Sequence, residues 1–133
     1  MNDWLYEAQL YLERAEDTLQ DAEQILKMGL ILAAVNRTYY GTYYCIHALL
    51  LTEEIITKTH QGANVKFNEL FIKTERLPRI LSQWASEALE LRQQADYDMT
   101  STIADDKAEM LLQNAHKFHK LSKSYLENLV RQR

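Results

Sequence analysis

Glycine and proline are scarce in this sequence, with three glycines and one proline among 133 residues. No stretch alternates apolar and polar residues for long, which excludes a sheet-rich fold and predicts a helical protein. No apolar run approaches the ~18 residues that a membrane-spanning helix requires. The N-terminal segment is acidic and lacks the apolar core of a secretion signal. The single Cys45 cannot form an internal disulfide, and these absences together predict a cytoplasmic protein.

A basic excess is also lacking, because the formal net charge is −4. Proteins that coat nucleic acids by neutralising phosphates usually carry such an excess, so an extended nucleic-acid coat is not expected. A local basic groove, a small nucleotide ligand and a protein partner are all compatible with this charge. Apolar residues make up 47% of the chain, enough for one packed domain spanning residues 1–133.

Apolar residues recur at three- and four-residue steps in three long segments, as in amphipathic helices. The first helix has a cap at Asn2 or Asp3, an end near Gly29 and a stripe of Leu5, Ala8, Leu12, Ala15, Leu19, Ala22 and Leu26. The second, from about Leu30 to Ile56, is apolar on most sides, as a central helix would be. The last follows a polar loop (96–106) and carries Ala108, Leu111, Ala115, Phe118, Ser122, Tyr125 and Leu129.

Two shorter helices complete the prediction. After a break at "TKTHQGAN" (57–64), the first carries Val65, Phe67, Leu70, Phe71 and Ile72. Pro78 suits the first turn of the next, which runs to about Tyr97 and carries Leu81, Trp84, Ala88, Leu91 and Ala95 on one face. Two long outer helices around a more apolar one predict an all-α, antiparallel, up-and-down bundle of four to five helices.

Most familiar site motifs are absent. GxGxxG, GxxxxGK[ST] and HExxH do not occur, so neither a glycine-rich phosphate cradle nor a zinc-protease site is expected. His116 and His119 have a spacing that can hold a metal, but two imidazoles alone make an incomplete site. Cys45 and His47 point roughly 200° apart on a helix and cannot pair, so Cys45 is interpreted as a small buried apolar residue. No metal and no cofactor is predicted.

The segment "NRTYYGTYYCIH" (36–47) places polar side chains within the apolar second helix. One polar stripe, at steps of about four, consists of Asn36, Tyr40, Tyr44 (or Tyr43) and His47. Arg37 lies beside it, and the neighbouring stripe consists of Tyr39, Tyr43 and Leu50. Two interpretations are open: the rings fill the core while their hydroxyls reach backbone or water, or the stripe forms a site.

The end of the fourth helix, "ELRQQADYD" (90–98), carries a second polar group. Arg92 and Asp96 are four residues apart, and a surface ion pair worth a few tenths of a kcal/mol is one interpretation. Both residues lie at the margin of the apolar face, where charges require polar partners, and the stripe on the second helix supplies candidates. The spacing leaves open whether Asp96 pairs with Arg92 or with Arg37.

Three blocks of the sequence together resemble the HEPN superfamily, in particular its small stand-alone bacterial and archaeal branch: "AAVNRTYYGTYYCIHALLL", "KTHQGANVKFNELFIKTERLP" and "ELRQQADYD". The resemblance covers nearly the whole chain. It implies a helical bundle that commonly forms a homodimer and is often encoded beside a small nucleotidyltransferase, in pairs that behave as toxin and antitoxin. The resemblance also implies an activity, because active members of the family are metal-independent endoribonucleases. Their active site is built from an Arg-x(4–6)-His motif, which both subunits contribute to a cleft across the dimer.

This sequence departs from that motif. The positions that the motif allows for histidine after Arg92 hold Tyr97, Asp98 and Met99, and none of the four histidines has an arginine at the required distance upstream. The resemblance therefore implies a polar site without its usual proton carrier. Candidates for a variant catalytic role are Arg92, Tyr97 and His60, although a tyrosine with an ordinary pKa near 10 is a poor base.

Three hypotheses for the function result. In the leading one, the protein binds nucleotide or RNA between the central helices and works with a nucleotidyltransferase partner. Its predicted binding residues are Arg37, Tyr40, Tyr44, Lys58, His60, Arg92, Asp96 and Tyr97. The second is a metal-independent endoribonuclease toxin with a variant active site. The third is a purely structural dimerisation module, in which the heptad-like faces of the outer helices form the dimer surface and the polar residues only fix the helix pairing.

Overall fold

The computed structural model describes residues 3–97 and 102–132. The helices are α1 (Trp4–Lys27), α2 (Ile31–Leu51), α3 (His60–Phe67), α4 (Ile80–Tyr97) and α5 (Asp105–Arg131), and a π-helical segment, Asn68–Ile72, continues α3. Within the described ranges there is no strand, which confirms the predicted all-α bundle. None of these helices combines the length and the apolar character that crossing a bilayer would demand.

The ends of α1 follow from its capping residues. The Asp3 side chain accepts a hydrogen bond from the Tyr6 backbone N–H at 3.1 Å, so Asp3 rather than Asn2 supplies the observed cap. Gly29 adopts a left-handed conformation (φ +81°) and its N–H donates to the Leu26 carbonyl, as predicted for the helix end. The predicted stripe is buried along its length at Ala8, Leu12, Ala15, Leu19 and Ala22.

The central helix is α2, which packs against α1, α3, α4 and α5. Gly41 lets α1 approach closely, because a Cβ atom there would lie 2.4 Å from Cδ2 of the buried Leu19. The helix ends at Leu51, earlier than the predicted Ile56. Glu54 takes a left-handed φ of 59° and the Ile55 N–H bonds back to the Leu50 carbonyl, a closing turn that apolar periodicity does not reveal.

The segment after α2 also differs from the prediction. The Thr59 side chain accepts a hydrogen bond from the Gly62 N–H at 2.9 Å, so α3 begins at His60, inside the predicted break. The π-helical segment then keeps both Phe67 and Phe71 fully buried, whereas Val65 is exposed. Because a π turn adds a residue, it changes which side chains face the core.

The buried faces of the last two helices agree with the prediction in part. In α4, Leu81, Ala88 and Leu91 are buried as predicted, whereas Trp84 and Ala95 are half-buried and Ala85 is buried. Pro78 precedes α4 by two residues, and its carbonyl accepts from the Leu81 N–H, so it leads into the first turn rather than lying within it. Part of the predicted loop 96–106 belongs to the helices, since α4 runs through Tyr97 and α5 starts at Asp105, while residues 98–101 lie outside the described residues. The buried residues of α5 include Ala108, Leu111, Ala115, Phe118 and Ser122.

Candidate functional site

The charged pair on α4 lies within its own helix. Nε of Arg92 is 3.2 Å from Oδ2 of Asp96, which answers the open pairing question in favour of Arg92 rather than Arg37. The contact is an ion pair without hydrogen-bond geometry, because Nε is buried and has no hydrogen-bond partner among the described residues. The side chain of Arg92 is 18% exposed and that of Asp96 33%. Arg92 is therefore largely withdrawn from water, and Asp96 is the one carboxylate that pairs with it among the described residues.

Aromatic rings of α2 support the Arg92 guanidinium. Its central carbon lies 5.0 Å from the centre of the Tyr39 ring and 5.6 Å from that of Tyr40. A guanidinium over the face of a ring is attracted by the quadrupole of the ring, and more strongly where water is excluded. The tyrosines of α2 thus hold a cation as well as filling the core.

The Tyr39 hydroxyl contacts the imidazole of His60, with 2.5 Å between the oxygen and Nδ1. Burial raises the pKa of Tyr39 to about 12, although Arg92 opposes this rise, so the phenol keeps its proton. Burial and then the charge of Arg92 lower the pKa of His60, so the imidazole is neutral at pH 7. Among the described residues the hydroxyl has no other acceptor, so we assign Tyr39 as the donor to Nδ1, which places the proton of neutral His60 on Nε2.

His60 owes its position to the start of α3. It is the first residue after the Thr59 cap, and its ring stacks on Tyr43 with 4.0 Å between the ring centres. It also meets the Tyr40 ring edge-on at 5.7 Å. The capping sequence "THQG" therefore brings an imidazole from the third helix onto the tyrosines of the second.

A cleft of about 760 Å³ lies between α2, α3 and α4, and we call it the α2–α4 cleft. Tyr40, His60 and Arg92 face it, together with four uncharged amides and two apolar side chains: Gln61, Asn64, Asn68, Gln93, Val65 and Leu89. Asn68 is fixed by two hydrogen bonds, since it donates to the Asn64 carbonyl and accepts from the Ser82 hydroxyl. The cleft offers one guanidinium, one neutral imidazole, a ring face and amide groups, which are the contacts that suit a phosphate and a nucleobase.

The other predicted site residues lie at or beyond the margin of this cleft. Arg37 lies over the outer side of Tyr40, 5.1 Å from the ring centre, and donates to the Asn36 side chain. Tyr44 is next to Tyr40 on α2, with 6.2 Å between the ring centres, but does not line the cleft. Lys58 is exposed and Tyr97 is 76% exposed, and neither lines the cleft.

The sequence analysis did not predict two further groups of residues, one that supports the cleft and one that lines it. Tyr39 was assigned to the neighbouring stripe, although it contacts both His60 and Arg92. The amides Asn64 and Asn68 follow His60 at steps of four, so they share a helix face with it. That spacing would have revealed them if the helix had been predicted to start at His60.

The residues of the two rejected motifs do not line the α2–α4 cleft. His119 donates from Nε2 to the Leu12 carbonyl at 2.9 Å and so links α5 to α1. His116 is exposed, and within the described ranges no group of three potential metal ligands occurs. Cys45 is fully buried, and burial raises the pKa of its thiol, which keeps it protonated.

A separate groove of about 440 Å³ runs between α1 and α5, and we call it the α1–α5 groove. Leu12 and Leu126 are buried at its base, and Glu13, Lys123 and Arg131 are exposed along its rim. It contains both signs of charge and shares none of its lining residues with the α2–α4 cleft. The base of the groove therefore belongs to the seam between the two outer helices.

Comparison with known proteins agrees with the fold and with the sequence blocks. A family model for the HEPN domain matches residues 8–125. The chain is 41% identical over 120 residues to a Methanocaldococcus jannaschii protein named "Putative toxin MJ0142", covering 90% of this chain and 82% of that protein. It is 30% identical over 118 residues to a UPF0332 protein of Thermotoga maritima, covering 89% of each.

A second M. jannaschii protein, named "Putative toxin MJ0605", is 29% identical over 124 residues, covering 93% of this chain and 92% of that protein. The chain therefore belongs to the HEPN domain family, and the predicted resemblance is confirmed.

Proposed function

We propose that this protein binds nucleotide or RNA in the α2–α4 cleft. The observation that carries the proposal is that Arg92 and His60, from different helices, both face the cleft beside the ring of Tyr40. Arg92 supplies a fixed positive charge, and neutral His60 supplies an N–H at Nε2. Both are donors, which is the chemistry that a phosphate group requires.

The remaining cleft residues suit a nucleobase. The exposed part of the Tyr40 ring offers a stacking surface, and base stacking on aromatic side chains is worth about 1–3 kcal/mol per base. The amides of Asn64 and Gln93 can donate to and accept from base edges. Because a single arginine lines the cleft, we expect one phosphate contact there and a shallow dependence of affinity on salt, with a slope of about −0.7.

Binding is tested by fluorescence anisotropy with labelled single-stranded RNA and with labelled AMP, at two salt concentrations. Arg92→Gln should weaken both ligands by about tenfold to a hundredfold, since hydrogen bonds to charged groups contribute about 1.5–3 kcal/mol. The matched control is Lys123→Gln, which removes one positive charge from the α1–α5 groove and should leave both affinities within twofold. Equal losses in the two variants would contradict binding in the cleft.

We also propose that the protein acts as a homodimer in a toxin–antitoxin-type pair with a nucleotidyltransferase. The names of the two M. jannaschii relatives support a toxin-like role, and the HEPN resemblance supports the choice of partner. The test is co-purification with the product of a neighbouring nucleotidyltransferase gene, with light scattering to measure the mass of each species. A monomer that captures no such partner would contradict this part of the proposal.

A variant endoribonuclease is the second candidate, and the placement of His60 beside Arg92 favours it. In such a reaction the RNA 2′-hydroxyl oxygen bonds to phosphorus, the bond from phosphorus to the 5′-oxygen breaks, and the 2′ proton passes to water. The bound phosphate would favour the protonated form of His60, whose imidazolium would donate the Nε2 proton to the departing 5′-oxygen and become neutral. Arg92 would stabilise the charge on the phosphate. Tyr97 is not part of this scheme because it does not line the cleft.

RNA cleavage in the presence of a metal chelator separates these candidates. Cleavage by the wild-type protein that is lost in both Arg92→Gln and His60→Ala would establish the ribonuclease. Intact RNA together with Arg92-dependent binding would establish the non-catalytic form. Intact RNA and no binding would mean that the polar residues of the α2–α4 cleft have a structural role only, as in the third hypothesis.

A further inference from the structure

The tyrosines of α2 continue beyond the cleft onto α1. The ring centre of Tyr44 lies 6.2 Å from that of Tyr40 and 6.3 Å from that of Tyr11 on α1. All three side chains are partly exposed. We call Tyr40, Tyr44 and Tyr11 the aromatic band; it starts at the α2–α4 cleft and crosses the seam between α2 and α1.

Arginine side chains lie over two of the rings of this band. Arg14 lies 5.6 Å from the centre of the Tyr44 ring, and Arg37 lies 5.1 Å from that of Tyr40. Within the described part of the chain, neither Arg14 nor Arg37 forms an ion pair. Leu10, Tyr11 and Arg14 also line a shallow pocket of about 220 Å³ at the outer end of the band.

Ring faces with arginines beside them are the two components of sites for single-stranded nucleic acid. Bases stack on the rings without regard to sequence, and the guanidinium groups contact the phosphates between them. The neighbouring rings of the band are about 6 Å apart, so a flexible strand can place successive bases on them. A mononucleotide held in the cleft would leave Tyr44, Tyr11 and Arg14 unused.

We propose that Tyr11, Arg14 and Tyr44 form a second nucleotide subsite, so that the ligand of this protein is a single strand of RNA that continues from the cleft onto α1. The inference rests on the proposed nucleotide or RNA binding in the cleft. A second copy of the chain is the competing occupant of this face. RNA is favoured because the band is continuous with the cleft and because the guanidinium groups of Arg14 and Arg37 lie over two of its rings, where they can contact phosphates.

The experiment compares labelled AMP with a labelled eight-nucleotide RNA, both by anisotropy. The wild-type protein should bind the eight-nucleotide RNA at least tenfold more tightly than AMP. Arg14→Gln should weaken the longer ligand by about fivefold and leave AMP unchanged, since a single strand responds to each lost phosphate contact. Tyr44→Leu, which keeps an apolar side chain but removes the ring face, should weaken the longer ligand by about tenfold.

Arg79→Gln is the matched control, because it removes an exposed arginine at the start of α4, away from the band. Circular dichroism and a urea titration check that each variant is folded. If Arg92→Gln abolishes binding of both ligands while Arg14→Gln changes neither, the second subsite is wrong and binding in the cleft stands. If the wild-type protein binds neither ligand, both proposals fail.

A third outcome would assign the face to another partner. Arg14→Gln and Tyr44→Leu could convert a dimer into monomers, seen by light scattering, without lowering the affinity for RNA. The band would then be a self-association surface, and the proposed subsite would be overturned.

Discussion

The α2–α4 cleft and the α1–α5 groove are both formed between helices, but they hold their charges differently. The groove has exposed glutamate, lysine and arginine side chains around a base of leucines, so its charges stay hydrated. The cleft holds Arg92, with 18% of its side chain exposed, over two tyrosine rings and beside a neutral histidine. Withdrawing a cation from water opposes folding unless partners compensate. This difference in hydration is the reason that the proposed binding site is the cleft rather than the groove.

After that of Arg92, the largest effect that distinguishes the two regions is expected from their histidines. His60→Ala should lower RNA affinity by about tenfold, because an N–H that faces a phosphate is lost. His119→Ala should lower the free energy of unfolding by about 1 kcal/mol, because a hydrogen bond between α5 and α1 is lost, and leave RNA affinity unchanged. Anisotropy and urea unfolding of both variants measure the two effects. If both variants lose only stability, the cleft does not differ from the groove in function.

The next largest effect should be a gain in RNA affinity rather than a loss. Asp96→Asn removes the carboxylate that competes with a phosphate for Arg92, so RNA affinity should rise by about threefold at low salt. Glu127→Gln removes one negative charge at the groove and serves as the control for a change in net charge. A titration with RNA at low salt measures both. A fall in affinity for Asp96→Asn would show that the pair is needed to hold Arg92 in place.

A smaller effect is expected from Tyr39→Phe, which keeps the ring under Arg92 and removes the hydroxyl bonded to His60. The free energy of unfolding should fall by about 1 kcal/mol, and RNA affinity by about twofold, because Nδ1 of His60 loses its donor and the tautomer is no longer fixed. Nitrogen NMR shifts of the imidazole report the tautomer directly. An unchanged tautomer in Tyr39→Phe would contradict the assigned direction of this hydrogen bond.

The smallest expected effect is the dependence of the free energy of unfolding on pH. The pKa of His60 is lowered in the folded state by burial and by Arg92, and that of His47 by burial, from an ordinary value of 6.5. The imidazoles of His60 and His47 are therefore harder to protonate in the folded protein than in the unfolded chain. Their contribution to the free energy of unfolding is complete above pH 6.5 and is lost as the pH falls from 6.5 through the lowered pKa values.

Urea unfolding at pH 7.5, 6.5 and 5.5 should show this loss of stability, and His60→Ala should make it smaller. A loss of the same size in that variant would mean that other groups, rather than His60, are responsible. In the wild-type protein, saturating RNA should raise the pKa of His60, since a phosphate favours the charged imidazolium.

Much of the fold could be predicted from the sequence because it depends on local periodicity. The middle parts of the α1 and α5 stripes are buried as predicted, and the caps at Asp3 and Gly29 lie at the expected positions. The outer members of these stripes, Leu5, Leu26, Tyr125 and Leu129, are half-buried. The errors are at helix ends decided by backbone turns. The left-handed Glu54 ends α2 early, and the Thr59 cap starts α3 early, although neither change alters the apolar pattern.

The candidate site could be predicted only in part. Arg92, Tyr40 and His60 were selected from the sequence and do face one cleft, whereas Lys58 and Tyr97 were selected and lie outside it. Tyr39 was overlooked because its role depends on His60, which is 21 residues away in the chain. No periodicity within a single helix can report such a contact.

The sequence by itself determined the helical fold, the apolar faces that pack together and the HEPN family, because each of these is encoded by residue types at short spacing. The tertiary structure alone decided that Asp96 pairs with Arg92, that Tyr39 fixes the imidazole of His60, and that Arg14 and Tyr11 of α1 extend the tyrosines of α2. The physical reason is that charge compensation, ring contacts and withdrawal from water depend on distances between helices. Those distances are set only when the whole bundle packs.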